Sequence, residues 1–153
     1  MILVSACLAG CPCRYDGGTN LVPELQKLAE DGEAVLACPE ELGGLPTPRD
    51  PSECLKDKVI TNKGKDVTAE FLAGAERTLR IAQENGCKKA ILKARSPSCG
   101  KGFRYNGFFN KTLVAGNGVT AQLLLDHGIE VFTEEELSTA LCNASERSAN
   151  SSG

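Results

Sequence analysis

The sequence predicts an α/β fold: a single-domain, three-layer α/β/α arrangement around a mostly parallel, Rossmann-like sheet. Three observations carry this. Short apolar runs at residues 2–6, 34–37, 89–92 and 129–132 alternate with helical segments, the signature of βα units. The runs are short and mostly apolar rather than regularly alternating, as strands covered on both faces are. At 153 residues, with 41% hydrophobic and 24% charged, the chain suits one globular domain with a core of its own.

Each element has a local reason. Residues 2–6, Ile-Leu-Val-Ser-Ala, form a β-rich run that ends at Cys7 in a Gly/Pro loop. A helix over 23–31 has Pro23 in its first turn, Leu25, Leu28 and Ala29 on one face, and Gly32 past its end. The run at 34–37 leads into Cys38-Pro39 and a Gly/Pro-rich loop to Pro51. Residues 58–65 read as a small hairpin around Asn62-Lys63-Gly64. The clearest helix is 68–85: Phe71, Leu72, Ala75, Leu79 and Ala82 recur at helical spacing, Thr68 is the candidate cap and Gly86 the stop. The strand at 89–92 runs toward Ser96-Pro97-Ser98-Cys99-Gly100, and 102–109 read as an irregular or hairpin insert. A helix over 120–127, with Thr120 as candidate cap and Gly128 as stop, precedes the strand at 129–132 and a last helix over 134–141. The domain is placed at 1–142, with 143–153 a Ser/Asn-rich tail.

Composition removes several function classes. Lys+Arg 17 against Asp+Glu 20 gives a net charge of −3, and there is no Trp, two Tyr and five Phe. A chain-wide basic field and aromatic platforms for nucleic acid are therefore lacking. The exception is a local basic stretch, Lys88, Lys89, Lys93, Arg95, Lys101 and Arg104. A single histidine, His127, excludes a multi-histidine metal site and reads as a partner of its helix end. No run is long and apolar enough for a membrane span. The first ten residues lack a basic leader, and only six precede Cys7, too few for the lipoprotein signal that Val4-Ser5-Ala6-Cys7 mimics. The expectation is a cytoplasmic protein.

Eight cysteines then become the informative feature. In a reducing compartment they point to metal or catalysis rather than disulfides. Cys7, Cys38 and Cys99 each follow an apolar run, beside Gly or Pro, so a parallel sheet brings them to one edge. Three thiols without histidine suit a soft metal site, zinc or an iron–sulfur cluster, and three ligands leave one position open. The plainer reading of a cysteine is a small buried hydrophobe, preferred here for Cys54, Cys87 and Cys142. Cys11 and Cys13 stay open: the spacing Cys7-x-x-x-Cys11-x-Cys13 is no zinc knuckle, and either is a resolving thiol or an alternative ligand. Arg14, Tyr15 and Asp16 line the pocket or pair at the sheet edge, and Lys93 and Arg95 hold a substrate group or lie on the surface. Gly116-Asn117-Gly118-Val119-Thr120-Ala121 resembles a fragment of a dinucleotide fingerprint but reads as a tight turn before a helix.

Several blocks together match something known: Ser5-Ala6-Cys7-Leu8, Arg14-Tyr15-Asp16-Gly17, Cys38-Pro39-Glu40 with Gly43-Gly44-Leu45-Pro46, Pro48-Arg49, and Leu92-Lys93 with Ser96-Pro97-Ser98-Cys99-Gly100. Over residues 1–140 the chain resembles a small bacterial family of thiouracil desulfidases, long described only as a domain of unknown function. The resemblance implies a [4Fe-4S] cluster held by Cys7, Cys38 and Cys99, with one iron free to take sulfur from a thiocarbonyl. It implies Glu40 and Ser96 as the catalytic pair, with Ser98 a competitor of Ser96, and a thiolated nucleobase as substrate. Two alternatives stand beside it. One is a desulfidase handling thiolated transfer RNA through the basic stretch, although the chain carries no domain added for that purpose. The other is a non-catalytic metal or redox-sensing protein using the same three thiols.

Overall fold

The computed structural model describes residues 1–141; Cys142 and the tail at 143–153 lie outside the described residues. In chain order the elements are β1 (Ile2–Ser5), α1 (Pro23–Glu30), β2 (Ala34–Ala37), α2 (Pro39–Leu42), β3 (Ser52–Leu55), β4 (Lys58–Thr61), α3 (Thr68–Glu84), β5 (Lys89–Leu92), β6 (Phe103–Tyr105), β7 (Leu113–Ala115), α4 (Val119–Asp126) and β8 (Glu130–Thr133). Short 3-10 turns cover Ala6–Ala9 and Glu134–Glu136, the second leading into helix at 137–141.

The predicted sheet is present, in the order β2-β1-β5-β8 with every pair parallel. Successive residues of a strand face opposite sides, and the two sides hold different cores. Leu3, Ala90, Leu92 and Val131 pack with Leu79 and Ala82 of α3 and Ala121 and Leu124 of α4. Val4, Ile91 and Phe132 pack with Leu25 and Leu28 of α1 and with Leu137 and Ala140. This is why residues on both sides of the strands are apolar. Cys87 belongs to the first core, as expected of a buried thiol. A third cluster, Cys54, Val59, Val67 and Phe71, lies under the β3–β4 hairpin and accounts for Cys54 as packing.

The structure corrects several local expectations. The hairpin is β3–β4, paired from Ser52↔Thr61 to Leu55↔Lys58, so its turn is at Lys56-Asp57; Asn62-Lys63-Gly64 is the turn after it. The apolar signal there was too short to fix the register. Thr68 does not cap α3: it is the first helical residue, Val67 holds the N-cap position without a side-chain cap, and Asp66 Oδ1 accepts from the Thr68 N–H (2.9 Å) and hydroxyl (2.6 Å). Thr120 lies inside α4, fully buried. Leu72, placed on the apolar stripe, is half exposed.

Helix α2, read as loop from sequence, carries the Cys38-Pro39-Glu40 block and is seated by a pair of glycines. A Cβ on Gly74 of α3 would stand 1.8 Å from the Pro39 carbonyl oxygen, and one on Gly43 would stand 1.9 Å from that of Glu70. Only hydrogen at both positions lets the two backbones meet. Gly74→Ala is therefore expected to push α2 off α3 and destabilise the fold by about 3 kcal/mol, the upper end for overpacking, despite the better helix propensity of alanine. A urea midpoint equal to wild type would show that α2 docks some other way.

Candidate functional site

The carboxyl ends of β1, β2 and β5 open onto one cleft of about 450 Å³. Its lining includes Cys7 from the turn after β1, Cys38 directly after β2, Cys99 from the loop after β5, and Cys13, Arg14 and Tyr15 from the loop after the first turn. Glu40, Lys93, Arg95 and Ser96 line it too. Residues 92 positions apart in sequence thus meet because parallel strands end on one edge. Cys11 does not join them; it faces a separate hollow with Leu36 and Leu42.

Neighbouring groups orient each thiol. The Ser5 hydroxyl donates to Cys99 Sγ (3.3 Å) while its oxygen accepts from the Lys93 N–H (3.1 Å), tying β1 to the Cys99 loop. Asn20 Nδ2 donates to Cys7 Sγ (3.5 Å), and the Cys7 carbonyl is held by Thr19 Oγ1 (2.7 Å) and the Asn20 N–H (2.9 Å). Hydrogen bonding from Cys13, and then from Asn20, brings Cys7 down to about 7 against the opposing effect of burial. Hydrogen bonding from Cys13 likewise lowers Cys38, while Cys13, partnered by both, is raised. Burial pushes Cys99 up to about 12. Two thiols lowered and one costly to ionise suit a cation of high charge, which repays deprotonation of the third.

Glu40 is held by Arg49: Nε to Oε1 is 3.1 Å, with the side chains 6% and 18% exposed for Arg49 and Glu40. Burial raises the proton affinity of Glu40 more than Arg49 lowers it. The opposing cation is Arg49; Lys93 is paired with Glu134 (2.9 Å) and Arg95 with Glu135 (2.9 Å). Arg49 also donates to the carbonyls of Cys13 (2.9 Å) and Pro46 (3.2 Å) and to Thr47 Oγ1 (2.8 Å). It fastens the Cys13 loop to the Glu40 loop. Sequence reasoning quoted Arg49 and Ser5 within motifs but gave neither a task, and passed over Asn20. The signal for Arg49 was a lone arginine beside Asp50, between Pro48 and Pro51.

Ser96 does two things. It lines the cleft, and its oxygen accepts from the N–H groups of Ser98 and Cys99 (both 3.1 Å), the turn role its place before Pro97 suggests. Its own O–H remains to be donated. Ser98 is a correction: fully buried and 2.6 Å from Thr120 Oγ1, it is outside the cleft lining. Asp16 is another: it pairs with Arg14 (2.8 Å) and accepts from the Gly18 N–H at the exposed rim, without lining the cleft. The first N–H groups of α4 bind carbonyls of the Pro97–Gly100 loop, at 2.6 Å for Gly118 to Gly100 and 2.8 Å for Thr120 to Ser98. That segment braces the Cys99 loop and offers no dinucleotide site.

The basic stretch is largely occupied. Besides Lys93 and Arg95, Lys101 pairs with Glu136 (3.3 Å), Arg104 donates to the carbonyls of Asn117 (2.9 Å) and Lys56 (3.3 Å), and Lys89 is buried with its ammonium on the Ala140 carbonyl (3.2 Å). No helix among the described residues is long and apolar enough to cross a membrane.

The donor set distinguishes between the two candidate metals. Thiols that bind one tetrahedral zinc stand about 4 Å apart, and among the described residues no three Cys, His, Asp or Glu side chains are grouped so as to hold a single ion. An all-sulfur set spread around a cleft fits a cluster of several irons, each taking one thiolate.

Comparison with known proteins agrees. The sequence model of the 2-thiouracil desulfurase family matches residues 2–136. YbbK, an uncharacterized protein of Bacillus subtilis (strain 168), is 44% identical over 151 residues, covering 92% of this chain and all of that one. A solved structure of the [4Fe-4S]-dependent thiouracil desulfidase TudS superposes with a TM-score of 0.88 at 48% identity, covering 94% of this chain and 97% of the other.

Proposed function

The chain belongs to the 2-thiouracil desulfurase family, and from that premise we propose that it is a [4Fe-4S]-dependent desulfidase that removes sulfur from thiolated pyrimidines such as 2-thiouracil, giving uracil and sulfide. The observation that carries the reading is the meeting of Cys7, Cys38 and Cys99 with Glu40 and Ser96 in one cleft. Cys7, Cys38 and Cys99 would hold the cluster. When bound, it supplies a thiophilic iron with an open position, which makes sulfide a feasible leaving group.

The reaction is a hydrolysis without redox change: the carbon–sulfur double bond breaks, a carbonyl forms from water, and sulfur leaves as sulfide. Glu40, with its proton affinity raised by burial, takes a proton from the attacking water. Arg49 fixes that carboxylate in place. Ser96 has an O–H left to orient the ring or pass a proton. Tyr15 and Tyr105 give the cleft flat apolar surface for a planar base. The transfer-RNA alternative draws less support, since most of the basic stretch is engaged within the protein.

Protein purified without oxygen is expected to be brown, with about four irons and four acid-labile sulfides per chain, and to release sulfide from 2-thiouracil with uracil as co-product. A colourless protein that binds zinc and leaves thiouracil intact would instead select the redox-sensing reading.

A further inference from the structure

Four thiols line the cleft, and the reaction accounts for three. The fourth, Cys13, is 2% exposed, yet its thiol interacts with the thiols of both Cys38 and Cys7. The pairing with Cys38 is built from two sides. Cys38 Sγ also lies 3.7 Å from the Cys13 carbonyl oxygen, and Arg49 binds that same carbonyl while holding Glu40, two residues past Cys38. A further backbone bond, the Arg49 N–H to the Tyr15 carbonyl (2.6 Å), clamps the two loops together. Cys38 is only half-buried and opens to the cleft, where a small oxidant can reach it. A buried thiol against an accessible one, 25 residues away in sequence, is the arrangement of a resolving cysteine.

We propose that Cys13 is the resolving thiol for Cys38: in protein without its cluster, peroxide oxidises Cys38 and Cys13 closes a Cys13–Cys38 disulfide that keeps the ligand recoverable. The chemistry balances. The Cys38 sulfur attacks one peroxide oxygen, the O–O bond breaks, and a sulfenic acid and water result. The Cys13 sulfur then attacks the sulfenic sulfur, the S–S bond forms and a second water leaves. Two thiols lose two hydrogens and one peroxide becomes two waters. Without Cys13 the sulfenic acid proceeds to sulfinic acid, which thiol reductants do not reverse. The inference rests on the desulfidase reading only where it treats Cys38 as a cluster ligand.

The test uses the full chain, stripped of iron by chelation, treated with hydrogen peroxide and alkylated. Trypsin places Cys7, Cys11 and Cys13 in the peptide 1–14 and Cys38 in 28–49. Non-reducing mass spectrometry should show these two peptides joined, lighter by two hydrogens, with fragmentation assigning the link to Cys13. Dithiothreitol should separate them and restore uptake of iron and sulfide. In Cys13→Ser the joined species should vanish, and peroxide-treated protein should carry sulfinic acid at Cys38 and stay unable to load after reduction. The proposal is overturned if Cys13 is alkylated in oxidised wild type, or if the joined species persists in Cys13→Ser, which would make Cys7 or Cys11 the partner. The wild-type map decides without the variant. Reduced wild type that never takes up a cluster would sink the desulfidase reading and leave the disulfide standing.

Discussion

Cys99→Ser protein is expected to come off an oxygen-free column colourless, with iron and acid-labile sulfide near zero and no sulfide released from 2-thiouracil. Cys99 is 4% exposed, at the end of the loop that α4 braces, and its sulfur takes the Ser5 hydroxyl. A serine there still meets Ser5 and occupies nearly the same volume, so the fold should survive, with a cost of about 1–2 kcal/mol for a more polar buried group. An alkoxide is a poor substitute for thiolate on iron, and two remaining thiols do not hold a cluster. Cys87→Ser, just before the amino end of β5 and outside the cleft lining, is the matched control and should keep metal and turnover. Iron content, circular dichroism and sulfide release on the same preparations separate ligand loss from unfolding. A brown, active Cys99→Ser protein would mean that Cys13, the fourth thiol of the cleft, belongs in the ligand set in its place.

The reason Cys99 could be named without coordinates is topological. Any thiol just past the carboxyl end of a parallel strand lands on the same edge, and three apolar runs ending in Cys-bearing loops were enough to place Cys7, Cys38 and Cys99 together. The sheet, the two buried faces and the long helix α3 were legible for a related reason: they rest on hydrophobic pattern, which sequence displays directly. What stayed hidden depends on contacts between loops. Helix α2 is only four residues long, with too little periodicity to register, and exists where it does because Gly43 and Gly74 let two backbones touch. Ser98 and Thr120 read as a site residue and a helix cap until their mutual hydrogen bond buried both. Lys93 and Arg95, read as holding a substrate group or lying on the surface, are taken up by Glu134 and Glu135, which arrive from about 40 residues away. Nothing in the local sequence of Arg49 states that it reaches Glu40, Cys13 and Pro46 at once.

The placement of Arg49 sharpens the second large effect, that of Glu40→Gln. Glutamine keeps the volume and offers Arg49 an oxygen to bind, so the clamp at 3.1 Å and the Cys38-Pro39 turn beside it are retained. What is lost is the ability to take a proton. Turnover is expected to fall about 10²-fold or more, the scale for removing a general base, with iron content and thiouracil affinity unchanged. The pH profile should change as well. Burial raises Glu40 above the ordinary glutamate range in spite of Arg49, and a base works only when deprotonated. Wild-type turnover should therefore climb as pH rises through that raised value, and Glu40→Gln should lack the climb. If the variant releases sulfide at the wild-type rate, the base lies elsewhere, and the choices are few. Asp16 is outside the cleft lining, and Glu41 is committed to the Thr47 hydroxyl. Glu53 is the other carboxylate among the described lining residues, but its Oε1 already accepts from the N–H groups of Gly107 (3.1 Å) and Phe109 (3.2 Å). That carboxylate is engaged in holding the β6–β7 hairpin, whereas Glu40 stands two residues past Cys38, held on Arg49.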